Sequence, residues 1–117
     1  MRKEKRIDKR RKFNFFMRVM DDDTHEILGY LVDISPQGFR LECQKALPVQ
    51  KEYTLRLEGA SIVSDRPYIV FVARAVWSQP DPVIPHEFIE GFRIITIPTF
   101  EQEIYLRLAE KYGTTEI

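Results

Sequence analysis

The chain has 117 residues, enough for one hydrophobic core and too few for two, and its 44% hydrophobic and 31% charged content is that of a globular domain. Eighteen Lys and Arg balance eighteen Asp and Glu, and no apolar run approaches a membrane span or a signal-peptide core. The single Cys43 excludes an internal disulfide and points to a reducing cytoplasm.

The neutral total hides an asymmetry. Residues 1–12 hold eight Lys or Arg against Glu4 and Asp8, a charge of +6, which leaves −6 on residues 13–117. A basic arm of this kind suits a polyanionic partner, although a basic run can equally be a solvated tail. Within it Arg6 and Arg10 stand in an R-x-x-x-R spacing that lets two forked guanidinium groups grip one ligand.

After the arm the pattern alternates. Phe13, Phe15, Met17 and Val19 recur every second residue and predict a half-buried strand, and Asp21-Asp22-Asp23-Thr24 predicts a hairpin turn. The three aspartates lack the glycine and closing glutamate of a calcium loop. Residues 26–34 read as a second strand. Asp33-Ile-Ser-Pro-Gln-Gly38 then forms a turn into a strand over 39–43, with Asp33 and Ser35 aimed to one side and Gly38 serving either a positive φ or a close backbone approach. Taken alone, this is a strand-connecting loop whose polar side chains satisfy local backbone.

Tyr53, Leu55 and Leu57 alternate in a fourth strand. Residues 68–79 form a long strand, apolar on both faces, that is either covered on both sides or bent. A loop with Pro80, Pro82 and Pro85 follows, then a sixth strand over 88–97, where Gly91 marks a bulge or a close contact. Thr99 is placed as N-cap of the one helix, about 99–112, with Gln102 completing a capping box. Phe100, Ile104 and Leu108 form its apolar stripe, widened by Tyr105 and Leu106, and Gly113 ends it. Six short strands and a terminal helix predict an all-β fold, a small six-stranded antiparallel β-barrel with a C-terminal α-helix.

Two motifs in this order give the sequence its resemblance to the PilZ domain family, bacterial receptor modules for cyclic di-GMP. They are Arg6-Ile7-Asp8-Lys9-Arg10 ahead of the first strand and Asp33-Ile34-Ser35-Pro36-Gln37-Gly38 between the second and third. Ala75-Val76-Trp77 and Glu90-Gly91-Phe92 are similar to the family's later strands. The likeness spans essentially the whole chain, implying a stand-alone domain of two parts: a ligand-binding arm, 1–12, and a barrel with its helix, 13–117. Lys5-Arg6 stands where many members have two arginines, which leaves open whether one cyclic di-GMP or a stacked pair binds, and Phe39 stands where a small residue often follows the motif glycine.

The resemblance implies a non-catalytic site in which Arg6 and Arg10 wrap the dinucleotide, Asp33 accepts from guanine, Ser35 meets a phosphate or the base, and Gly38 admits the backbone. Lys5 and Arg11 are candidate further ligand contacts, and Arg11 and Lys12 add field. Trp77 either stacks on a base or lies in the core, and Arg40 and Arg93 are third arginines or surface ion pairs. The arm is expected to order on binding and the altered surface to be read by an effector protein.

No cofactor, metal site or catalysis is expected. His25, His86 and Cys43 lack metal-ligand spacing, no phosphate-binding glycine loop is present, and Ser35 has no nucleophile-elbow context. Two rivals remain: a PilZ-like module that binds no nucleotide and docks on a pilus, motility or secretion component, and, ranked last, a nucleic-acid binder using the arm.

Overall fold

The computed structural model describes residues 17–113. Six strands close into an antiparallel barrel: β1 (Arg18–Asp21), β2 (Ile27–Ser35), β3 (Gly38–Cys43), β4 (Glu52–Glu58), β5 (Tyr68–Pro80) and β6 (Phe88–Thr96). Their order around the barrel is β1-β2-β3-β6-β5-β4, and β1 pairs with β4 to close it. The expected β-barrel with one C-terminal helix, α1 (Thr99–Tyr112), is therefore the fold. Phe13, Phe15 and Phe16 lie outside the described residues; Met17 and Val19, the next two of the alternating set, are both buried.

Alternation fixes which side chains fill the barrel. Tyr53, Leu55 and Leu57 of β4 point inward with Thr54 and Arg56 between them, as their spacing predicts. In β5, Ile69, Phe71, Ala73 and Ala75 are buried while Val70, Val72, Arg74 and Val76 are half-exposed. This strand is covered on one face only and bends, through register shifts against β6 at Val72/Ala73 and Ala75/Trp77. Its apolar outer face reflects β-propensity and the demands of the site below, not a second covering layer.

The connections follow local chemistry. In the first hairpin, Asp21 Oδ1 accepts from the backbone N–H of Asp23 and Thr24, and Asp22 Oδ1 accepts from Arg56, so the turn consumes its own acids. The proline-rich loop is irregular as expected, although Pro80 still ends β5, and Asp81 Oδ1 accepts from the N–H of Val83 and Ile84. A single 3-10 turn at Ala60–Ile62, which no sequence signal announced, follows Gly59 with φ 105°.

The helix corrects two expectations. Its N-cap is Pro98, whose extended backbone offers the first carbonyl to Gln102 N–H at 2.8 Å; Thr99 is already helical, and no side chain caps the end. Its buried residues are Ile104, Tyr105, Leu108 and Ala109, whereas Phe100 and Leu106 are 51% and 41% exposed. The helix contacts β2, β5 and the 3-10 turn one turn in from its start. Phe100 instead carries the guanidinium of Arg66 over its ring at 4.4 Å. Gly113 does terminate the helix, but with φ −76° rather than a left-handed cap. A Cβ there would stand 2.5 Å from the Ile34 carbonyl oxygen, so the helix end sits directly on β2. Among the described residues no helix is long and apolar enough to cross a membrane.

Glu90 is the most deeply buried acid among the described residues. It pairs in register with Leu41; its Oε2 accepts from Ser78 Oγ at 2.7 Å and Leu47 N–H at 3.3 Å, and its Oε1 has no partner among the described residues. Burial holds its carboxyl above the usual carboxylate range, against the opposing pull of those two hydrogen bonds. A raised folded-state pKa means the native state binds more protons than the unfolded chain. Stability is then greatest below the ordinary carboxylate pKa and falls as pH rises through the folded-state value. Glu90→Gln is expected to remove that decline, and denaturant midpoints measured from mildly acidic to neutral pH check it.

Candidate ligand-binding site

The second motif is a tight hairpin. Ser35 pairs with Gly38, leaving Pro36 and Gln37 as the two central residues. Neither has a positive φ, so the turn is not of the primed types that favour Asn-Gly; Pro36 sets the first angle instead. Gly38 also has no positive φ. Its role is close approach: a Cβ would stand 2.2 Å from the Phe92 carbonyl oxygen of β6. The backbone that Gly38 admits here is that of a neighbouring strand, and Gly38 also lines the cleft described below.

Strand register assembles the rest. A bulge in β2 leaves Val32 unpaired between Leu31↔Leu41 and Asp33↔Arg40. Across the barrel's outer face, Asp33 of β2 pairs with Arg40 of β3, Arg40 with Gly91 of β6, and Gly91 with Trp77 of β5. One row thus places an acid, a guanidinium, a bare backbone and an indole on four adjacent strands, spanning roughly 15 Å at the usual strand spacing. The next row runs Ser35, Gly38, Arg93 and Arg74. Asp33 and Ser35 do share one side, as their spacing predicts.

A cleft of about 450 Å³ lies over part of these rows, lined among others by Ser35, Gly38, Arg40, Trp77, Gly91 and Arg93, while the buried Asp33 lies behind Arg40 and outside its lining. Trp77 is 36% exposed, which decides against a core role. Its indole lies across Gly91, where a Cβ would stand 2.2 Å from both Cε2 and Nε1. Gly91 thus marks both a register shift and a close contact, and its lack of a side chain holds the indole flat against the sheet. Phe39 does not intrude. It is buried, with its ring stacked on Phe92 at 5.2 Å and edge-on to Phe71 at 5.8 Å.

The polar groups are already engaged. Asp33 is buried and its Oδ2 accepts from Arg40 Nη2; Arg40 Nε is buried with no partner among the described residues. Ser35 is buried, and its hydroxyl donates to the Gly38 carbonyl at 3.3 Å. Arg74 pairs with Glu52 at 2.6 Å, while Arg93 makes no ion pair among the described residues. Lys5, Arg6, Arg10 and Arg11 lie outside the described residues.

Tyr105 of α1 is the residue that sequence reasoning missed. Its hydroxyl lies 2.6 Å from the Ser35 carbonyl oxygen and 2.9 Å from that of Gly38, and its one proton is shared between them. Seventy positions separate it from Ser35, so no local spacing could connect the two. Burial pushes its phenol pKa up, which keeps it a neutral donor.

Other chemistry finds little footing. Burial, reinforced by Glu90, Glu42 and Glu87, pushes the Cys43 thiol up to about 12, which leaves almost no reactive thiolate at neutral pH. Among the described residues no group of His, Cys, Asp or Glu is gathered to hold a metal.

Fold and cleft together define a closed β-barrel domain with a cationic and aromatic groove beside one hairpin turn. The sequence profile of the PilZ domain matches residues 2–110. The chain belongs to the PilZ domain family, whose members are cyclic di-GMP receptor and adaptor modules. No curated protein and no solved structure matches it.

Proposed function

We propose that this PilZ domain binds cyclic di-GMP in the cleft beside the Asp33–Gly38 turn and signals, without catalysis, by presenting a changed surface to an effector protein. The observation that carries this reading is the row Asp33–Arg40–Gly91–Trp77, which offers an acceptor for guanine N–H groups, a forked cation for a phosphate or a guanine edge, and a flat surface for a base. Arg93 brings a second cation to the same cleft. The arm, residues 1–12, supplies Arg6 and Arg10 to the other side of the ligand, with Lys5 and Arg11 adding to the field. Arg40 would then divide its guanidinium between Asp33 and the dinucleotide, its Nε having no partner among the described residues.

One observation favours a second reading. Asp33 and Ser35 are both hydrogen-bonded within the protein, so the turn is complete without a ligand, as in a PilZ module that only docks on a motility, pilus or secretion component. Calorimetric titration of the full chain with cyclic di-GMP, with GTP as control, separates the two. Saturable heat at micromolar ligand, accompanied by a change in emission of the single Trp77, is the expected result. No heat and no thermal shift at saturating ligand would sink the receptor reading and leave the docking one.

A further inference from the structure

We infer that Tyr105 is a positioning residue for cyclic di-GMP, holding the Asp33–Gly38 turn in its binding shape from the C-terminal helix; the inference rests on the receptor reading above. The tip of the turn is held at few points. Its two central residues, Pro36 and Gln37, face solvent; the Gln37 carbonyl accepts from Ile94 N–H at 3.0 Å, Asp33 is paired with Arg40, and the Ser35 hydroxyl reaches Gly38 through a long 3.3 Å bond. Tyr105 bridges the carbonyls of the two residues that close it, at 2.6 and 2.9 Å.

Tyr105 itself is well held. It is 1% exposed, and its ring meets Phe71 edge-on at 5.8 Å, so the hydroxyl is aimed by core packing rather than by a mobile side chain. The same helix touches the motif again at its end, where Gly113 leaves no room for a Cβ against the Ile34 carbonyl. Two points of one rigid element therefore bear on backbone at both ends of the segment 34–38. Displacing either carbonyl shifts Ser35 and Gly38 and, two residue pairs along, the Asp33–Arg40 pair. Binding geometry held by a supporting hydrogen bond is sensitive to its loss even when the supporting residue never touches the ligand.

The test is Tyr105→Phe, which keeps the ring in its packing and deletes only the hydroxyl, beside Leu108→Ala, which destabilises the same helix–barrel interface without touching the turn. Cyclic di-GMP affinity, thermal midpoint and amide exchange at Gln37 and Gly38 are measured on full-length protein. Tyr105→Phe is expected to weaken binding about tenfold, the scale of one lost neutral hydrogen bond expressed in affinity. It is also expected to speed exchange at the turn, while Leu108→Ala lowers the midpoint at least as far and leaves affinity within about twofold. Equal affinities for wild type and Tyr105→Phe would overturn the inference. So would a loss in Leu108→Ala as large as that in Tyr105→Phe, since the tyrosine would then act through stability alone. If wild type binds no cyclic di-GMP, the receptor reading fails and this inference with it, and the exchange data then report only whether the hydroxyl orders the turn.

Discussion

Arg10→Ala is expected to weaken cyclic di-GMP binding by about 100-fold while leaving the thermal midpoint of the free protein unchanged. A hydrogen bond to a charged group contributes about 1.5–3 kcal/mol, and every 1.4 kcal/mol is a factor of about ten in affinity. A guanidinium forked onto a phosphate or a guanine edge makes two such bonds at once. Among the described residues the barrel core is built from apolar side chains between Met17 and Ala109, and the effect of Arg10 is expected on the ligand rather than on this core. Arg10→Lys keeps the charge and loses the fork, and should recover only part of the deficit. Titrations of the three proteins at two salt concentrations check this. Affinity in Arg10→Ala equal to wild type would remove the first motif from the site and leave its charge as general attraction to anions.

What the sequence could and could not disclose divides along the range of the interactions. The strands were legible because each carries its own period: Tyr53, Leu55 and Leu57 alternate whatever they pack against. The hairpin turns were legible because Asp21 and Pro36 act on their own neighbourhood. Trp77 could not be placed, since a strand apolar on both faces does not say which face is inside; the register shift at Ala75/Trp77 and the bare backbone of Gly91 decide it from another strand. That the backbone beside Gly38 is β6 could not be read locally, because that strand is remote in sequence. The apolar stripe of the helix was misjudged for a similar reason. Phe100 and Leu106 fit the period, but the curved barrel buries Ile104, Tyr105, Leu108 and Ala109 and takes Tyr112 at its edge. Tyr105 was read as one more core residue, and its hydroxyl, the atom that matters to the site, has no periodicity to betray it.

The second large effect is expected at Gly38, and it differs in kind from the loss at Arg10. Gly38→Ala places a methyl group 2.2 Å from the Phe92 carbonyl oxygen, an atom of the β6 backbone that cannot rotate away. The strands must part where Gly38 pairs with Arg93 and Phe39 with Phe92, beside the stacked Phe39 and Phe92 rings. Overpacking of this sort costs about 1–3 kcal/mol, and the absence of a positive φ means that none of it is backbone strain. For a domain of this size the thermal midpoint should fall by roughly 10 °C. The displaced strand also carries the turn and Arg40, so cyclic di-GMP affinity should fall at least about tenfold, at a protein concentration and temperature where the variant remains folded. Gly59→Ala is the informative comparison. There φ is 105° and the nearest atoms belong to the flexible side chain of Met17, so the penalty is conformational and binding should be spared. A Gly38→Ala protein that kept its midpoint and lost the ligand would show that β3 can yield to the methyl group, and the glycine would then be required by the ligand. Loss of both, with Gly59→Ala losing stability alone, places the requirement in the contact between β3 and β6.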